Sequence, residues 1–534
     1  MSGDIEADVV VIGAGPTGAA AAWRLAAAGL SVVCLERGHW FDYAALGQGE
    51  PGYGRRRRAT FNDNPNLRRH SDDYPVDDSD SPIKPMIGNA VGGSSIYWAA
   101  HVPRYRPEDF RVRSLDNVGD DWPITYEDIA PYYDLNETEI GLASFPGDPA
   151  GPERTAAPLS MPSIGPAGRR LARAFDSLGW HWWPVDLAVG QDADDPRTAR
   201  CTHIGPCEPG CPARIRAGAD RAYMKKALAA GARLHTGARV IGLEHDAAHR
   251  VAAALVADDS GTRRVRGHRF ILAANGMGTP RLLLLSASKA FPNGLANSSG
   301  LVGRNLMLHP HARVDGYFAE RLGTWTPGQK AGIVCLEFYA TRAENGFPRG
   351  FKMQLNASPA PADIARRSGS AAPLPWGAGH HEAFAEQFDR IASLNICIED
   401  LADRDNRITL SSELADRDGL PAPKMIYRLS DASRANLDFA MDRAEQVLNM
   451  SGATATVRDP LKAQAGFHLM GTARMGDDPD NAVVDAFGRC HDVGNLFIVD
   501  SSIFVTSGAM NPTSTAQALA LRTADHLIAT RHAP

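Results

Sequence analysis

No run of about 18 consecutive apolar residues occurs anywhere in the chain, so no membrane-spanning helix is expected. There is no surplus of positive charge either. Fifty-six lysines and arginines stand against 62 acidic residues, a formal net charge of −6, which excludes the basic face of a nucleic-acid binder. The one basic run, Arg55–Arg58, is flanked by Gly, Tyr, Asn and Pro and reads as a solvated loop. Cysteine is scarce: Cys34, Cys201, Cys207, Cys211, Cys335, Cys397 and Cys490 form an odd and mostly dispersed set, which excludes a disulfide framework. The first strand begins at about residue 7 and leaves no room for a secretory signal, so a cytoplasmic protein is expected. No internal repeat and no low-complexity tract is visible, and 534 residues provide two or three domains' worth of core.

Against these absences stands one dense signal, DVVVIGAGPTGAAAAWRLAAAGLSVVCLE at 8–36. A buried strand (Val9–Ile12) runs into Gly13, Gly15 and Gly18, then an alanine-rich helix, then a second strand (Ser31–Leu35) ending at Glu36. Gly13 permits the tight turn, Gly15 lets the backbone approach a pyrophosphate, and Gly18 lets helix and strand pack closely. The helix N-terminus offers unpaired N–H groups and a positive dipole end to phosphates. Glu36 follows Gly18 at about the distance where a carboxylate meets a ribose hydroxyl. Strand, glycines, helix, strand and acid in this order predict a dinucleotide site.

Further along, residues 41–85 are polar and turn-rich and read as a long surface excursion. Residues 120–140 read as a turn feeding an amphipathic helix, 144–167 as a loop, and 168–179 and 219–230 as helices. Strands return at 232–274, ending in a buried strand at HRFILAAN. Alternating apolar patterns at 310–460 (RVDGYFAE, GIVCLEFYA, GFKMQLNA, IASLNICIED, NRITLS) predict an antiparallel sheet. Helices are expected at 431–450 and from about 512 to 530, with a buried strand in NLFIVDSSI. The nucleotide fold therefore starts at the N-terminus, is interrupted, and resumes, with a substrate site between it and the inserted sheet.

Four segments in order carry a family resemblance: VVIGAGPTGAAAAWRL…LERG, NAVGGSSIYW, AANGMGTPRLLLLS, and FHLMGTARMG…NLFIVDSSIFVTSGAMNPTSTAQALALRTADHL. DWPITYEDIAPYY and GLVGRNLMLHPH are two lesser landmarks. Together they resemble the glucose–methanol–choline (GMC) family of flavin oxidoreductases, and within it the pyranose-oxidising and gluconate-dehydrogenase-like branch. The resemblance implies an α/β fold: a Rossmann-type FAD-binding domain of the glutathione-reductase kind with an inserted antiparallel-sheet substrate domain. The expected division is 1–165, 195–310 and 465–534 for FAD, and 166–194 and 311–464 for substrate. It also implies FAD as cofactor and oxidation of an alcohol, with electrons passed to oxygen, a quinone or a redox protein.

The small-residue turn Gly92, Gly93, Ser94 and Ser95 would let backbone N–H groups approach a phosphate or the flavin ring. Sugar-oxidising relatives link the flavin covalently through a histidine where this chain has Tyr97, so non-covalent FAD is expected. Val240 falls where relatives hold the adenine, and Asp500 where a strand ends beside the cofactor. Pro512 sits just inside the start of the last helix. That helix N-terminus, with Asn511 and Thr513, would point its dipole at the electron-rich side of a reduced flavin.

Alcohol oxidation by a flavin removes a proton from oxygen and a hydride from carbon, the hydride going to flavin N5. Relatives place the base in H-x-x-G-T, here His468-Leu-Met-Gly-Thr, and a second His or Asn before Pro-Thr, here Asn511. An imidazole suits the base, with an ordinary pKa near 6.5; an amide holds the oxygen but takes no proton. His309 in LMLHPH reads as a structural residue near the domain junction. The loop CTHIGPCEPGCP resembles one that carries a three-iron cluster in certain family dehydrogenases, making Cys201, Cys207 and Cys211 the iron–sulfur candidates. Three thiols leave any metal site incomplete, so loop packing without metal is the favoured reading. The expected substrate is a sugar, glycoside or polyol, with Trp180, Trp182, Trp183, Trp376, His380 and His381 able to stack on it, although core packing suits most of them. A steroid or other hydrophobic alcohol, and a non-catalytic flavin-binding redox module, are the rival readings.

Overall fold

The structure, a computed structural model, describes residues 5–47, 53–155, 163–189, 216–323, 332–356 and 374–531, with Leu159 and Ile364 besides. Cys201, Cys207 and Cys211 lie outside the described residues. Strand Ile5–Ile12 runs parallel to Val32–Leu35 on one side and to the end of Gly261–Leu272 on the other. Arg233–His235 and Leu496–Ile498 add further parallel pairings. Val251–Asp258 and Arg239–His245 continue the sheet as an antiparallel ribbon. Val9, Val10, Val11, Val33, Cys34, Phe270 and Ile271 are fully buried, as continuous apolar strands are when both faces of a sheet are covered. Helix Pro16–Ala27 buries Ala19, Ala20, Ala21 and Ala22. Their small side chains let it lie against the sheet and against the last helix, Thr513–Ala529.

A second sheet is antiparallel throughout. Its six strands lie in the order Ala455–Asp459, His311–Tyr317, Ile391–Ile398, Phe351–Asn356, Ile333–Cys335 and Trp182–Pro184. The period of two decides its faces. Phe351, Met353, Leu355, Leu394, Ile396, Ala312 and Val314 pack with residues of helices Gly165–Leu178 and Asp431–Met450. The alternate positions, Lys352, Gln354, Asn395, Cys397, His311 and Arg313, therefore share the opposite face, from which Lys352 reaches Asn511 and His311 reaches His468. This is the expected α/β nucleotide-binding sheet with a separate antiparallel sheet. No helix among the described residues is long and apolar enough to cross a membrane.

Three expectations change. NRITLS does not join the six-stranded sheet; Arg407–Ala415 pairs with Pro421–Ile426 and, through it, with Asp77–Asp80 in a separate three-stranded sheet. Residues 41–85 are not merely a surface excursion: Tyr74, Val76 and Ile83 are buried, because this segment folds back over the nucleotide cleft. Arg55–Arg58 is helical, within Tyr53–Arg58. Arginine is a good helix former, and the Arg56 guanidinium donates to the Leu46 and Gly47 carbonyls, each at 3.0 Å, which ties this helix to the end of the preceding one.

Candidate active site

The parallel strands all end at one edge, and a cleft opens there, the usual ligand position in such a sheet. Gly13, which follows the first strand, has φ +104°, and a Cβ there would meet the Ala273 carbonyl oxygen at 2.4 Å. Gly15 and Gly93 face each other, and a Cβ on Gly93 would stand 2.9 Å from the Gly15 Cα. All three line the cleft with Ser94. Helix Pro16–Ala27 starts there with no side-chain cap, so its first N–H groups remain for an anion. The last helix likewise starts uncapped, with Pro512 and Thr513 in the cleft wall. Two bare helix ends and a glycine cradle fit the pyrophosphate of a dinucleotide.

Glu36 lines the cleft and is held from below. Its Oε2 accepts from Ala14 N and its Oε1 from Gly38 N, both at 2.8 Å. Burial raises its pKa while these two bonds oppose that, and each oxygen keeps a lone pair for a hydroxyl. Val240 and Asp500 also line the cleft. Asp500 accepts from Thr279 Oγ1 at 2.5 Å and from Ser502 N at 2.9 Å. Gly18, Gly92 and Ser95 are not among the lining residues. A Cβ on Gly18 would sit 2.0 Å from the Gly13 carbonyl oxygen, so Gly18 permits the strand–helix packing. Gly92 has φ +98°, and Ser95 Oγ accepts from Ala219 N at 2.9 Å while donating to Gly92 O at 2.6 Å. Both shape the turn rather than face the cleft. Tyr74 and Arg37 line it unforeseen, the Arg37 guanidinium lying 4.4 Å from the Tyr74 ring centre.

His468 stands in the cleft wall beside Phe467. Its Nδ1 lies 2.7 Å from Nδ1 of His309, so His309 is no remote structural residue but the direct partner of the expected base. His309 Nε2 faces two backbone oxygens, Ser507 O at 3.1 Å and Gly508 O at 2.5 Å. A carbonyl only accepts, so His309 carries its proton on Nε2. Burial and the Lys352 ammonium hold the His309 pKa down at about 4, so the ring is neutral and its Nδ1 can only accept. The proton between the rings therefore belongs to His468 Nδ1, and His468 Nε2 keeps a bare lone pair. Burial, with His309 and His311 next to it, holds the His468 pKa well below the ordinary imidazole value.

Asn511, immediately before Pro512, is a hydrogen-bond partner of Lys352 Nζ through its Oδ1. It also neighbours His101, whose Nδ1 lies 3.1 Å from Gln354 Oε1 and whose pKa burial pushes down to about 3. Asn511 is not a lining residue of the cleft itself. It joins His468, His309, His311, His101 and Lys352 in one buried polar cluster between the two sheets. Lys352 and His101 were not anticipated, yet the alternation in FKMQLN already puts Lys352 on the polar face. The tryptophans do not line the cleft: Trp180 packs edge-on to Phe338 at 4.8 Å, Trp182 Nε1 donates to Asp176, and Trp376 is fully exposed. No group of three or more potential metal ligands occurs among the described residues.

An imidazole with a bare nitrogen, an amide and a dinucleotide cradle are the groups that removal of a proton and a hydride from an alcohol calls for. Comparison with known proteins shows the family. The N-terminal GMC oxidoreductase family model matches residues 7–311 and the C-terminal one residues 402–520. The chain is 36% identical to 2-methyl-1,2-propanediol dehydrogenase of Mycolicibacterium austroafricanum, covering 98% of this chain and 95% of that one. It is 30% identical to the fructose dehydrogenase large subunit of Gluconobacter japonicus, covering 98% of each. Pyridoxine 4-oxidase from Mesorbium loti has the same fold, with a TM-score of 0.65 at 19% identity over 97% of this chain and 98% of that one. The chain belongs to the GMC oxidoreductase family, whose members are FAD enzymes that oxidise CH–OH groups.

Proposed function

We propose that the protein oxidises one hydroxyl of a sugar, glycoside or polyol to the carbonyl, with non-covalent FAD in the cleft and His468 as base. The observation that carries this is the His309–His468 contact, which leaves His468 Nε2 unprotonated inside the cleft wall. FAD, when bound, supplies the hydride acceptor. The glycine turn at 13–18, the two uncapped helix ends and Glu36 would hold it.

The chain's own part is to bind, orient and deprotonate. Asn511 holds the substrate oxygen through its amide. His468 Nε2 takes the hydroxyl proton, which raises electron density on the carbon and promotes hydride departure. His309 keeps the imidazole in the tautomer that can accept, and burial of the cluster excludes water.

The polar face of the six-stranded sheet favours a hydroxyl-rich substrate over a steroid. Lys352, with a single partner, and Asn395 Oδ1, with none among the described residues, present a donor and an acceptor where an apolar ring system would leave them unpaired. The names of the relatives, a diol dehydrogenase and a fructose dehydrogenase, support the same class. Tyr97 supports non-covalent binding: it is not a cleft residue and packs edge-on to Phe41 at 5.8 Å. Acid precipitation should leave the flavin in the supernatant, and flavin in the pellet would contradict this. An anaerobic screen of sugars, glycosides, polyols and sterols for flavin bleaching tests the substrate class. Bleaching by a sugar or polyol is expected; a sterol outpacing all of them would establish the hydrophobic reading. No bleaching by any alcohol would leave only a flavin-binding module. Re-oxidation with air, a quinone or a redox protein then identifies the electron acceptor.

A further inference from the structure

Lys352 lies on strand Phe351–Asn356, on the sheet face that meets the catalytic cluster, and is only 2% exposed. Across the sheet its register partner is Cys397, and beyond that His311. A lysine amino group carries three donors when charged and two when neutral. Among the described residues Lys352 has one hydrogen-bond partner, Asn511 Oδ1, and no carboxylate pairs with it. Burial pushes the Lys352 pKa down, and a buried amino group with unmet donors is costly whether charged or neutral, so the structure stores an unmet demand for oxygen acceptors beside Asn511. The same face holds the reverse demand: Asn395 Oδ1 is a buried acceptor with no hydrogen-bond partner among the described residues. Lysine donates to the amide oxygen and His101 bonds the same amide, so an Nδ2 hydrogen is what Asn511 offers the reacting hydroxyl.

We propose that Lys352 is a specificity-determining residue: it donates to an oxygen on the carbon next to the one oxidised, so that vicinal diols and sugars are taken in preference to lone alcohols. The inference rests on the reading of the site as a hydroxyl oxidase or dehydrogenase. A neighbouring hydroxyl answers both unmet groups, because it accepts from Lys352 and can donate toward Asn395. A lone alcohol answers neither and leaves the Lys352 donors unsatisfied.

The test compares 1,2-propanediol with 1-propanol in anaerobic flavin reduction, in the wild type, Lys352→Met and Lys352→Arg. Binding of pinacol, whose two tertiary hydroxyls cannot be oxidised, is followed in parallel by perturbation of the flavin spectrum. The preference for the diol should fall by about 10–100-fold in Lys352→Met, the range for losing a hydrogen bond to a charged group. Pinacol binding should weaken in step, and Lys352→Arg, which keeps donors, should recover part of both. Equal slowing of the two alcohols, or an unchanged preference, would overturn the inference. Should Lys352→Met fail to fold with flavin, Lys352→Gln carries the same comparison. A wild type that is reduced by no sugar, polyol or diol would instead refute the parent reading.

Discussion

In the proposed reaction the decisive atom is His468 Nε2, and its state follows from groups that sequence spacing does not reveal. His309 and His468 are separated by 159 residues, yet their Nδ1 atoms share one proton. The motif H-x-x-G-T makes His468 legible as a base; nothing in LMLHPH tells that His309 fixes its tautomer, because that depends on the Ser507 and Gly508 carbonyls arriving from a third segment. The electrostatics predict the pH profile. A base works only when unprotonated, and burial with neighbouring His309 and His311 holds His468 well below its ordinary value of 6.5. The acid limb of kcat/KM should therefore lie below about pH 6.5, with no loss on that side above it. In His309→Ala the tautomer lock and one electrostatic neighbour disappear together. Turnover should fall by roughly 10–100-fold, as for other groups that orient a reacting histidine, and the acid limb should move up toward 6.5. A slower enzyme with an unmoved acid limb would show that His309 only packs.

Elements whose geometry is local were readable in advance. The first βαβ unit is one, because glycines at fixed places in a turn have few other uses; Gly18 shows why. A Cβ there would stand 2.0 Å from the Gly13 carbonyl oxygen and 2.9 Å from the Ala273 side chain. Gly18→Ala must push helix Pro16–Ala27 off the sheet, at a cost of about 1–3 kcal/mol. It should be purified with far less flavin than the wild type, as absorbance per polypeptide measures; full flavin occupancy would refute the packing role. The six-stranded sheet was legible from its alternation, and the same alternation separates its helix-facing residues from the face that bears Lys352. Residues 41–85 were not legible. Their burial comes from contacts with segments hundreds of residues away, such as Asp77–Asp80 against Pro421–Ile426, and no local period encodes that.

The whole molecule depends on the junction between its two sheets, and buried acids are concentrated there. Arg349 binds Asp109, Asp116 and Glu399 at 2.7–2.8 Å. Asp400 accepts from Leu308 N at 3.0 Å and Tyr427 Oη at 2.7 Å, next to His309 in the chain fold. Burial pushes the Asp400 pKa up from 3.8 to about 7. Between those values the folded state holds a proton that the unfolded chain has released. Its contribution is thus full below about pH 3.8 and lost as pH rises through 7, on the order of 1–4 kcal/mol. Tm should decline from about pH 4 to 7.5, and Asp400→Asn, which cannot ionise, should flatten that decline; an identical slope in both proteins would remove Asp400 as its source. The proposed function at this scale is one chain bringing a cofactor cradle and a neutral base to the same hydroxyl. The most direct measurement is anaerobic flavin reduction by a polyol in the wild type and in His468→Ala, both loaded with flavin. Rapid bleaching of the first and a rate about 10²–10⁴-fold lower in the second is the predicted result; equal rates, or a wild-type protein that takes up no flavin, would contradict it.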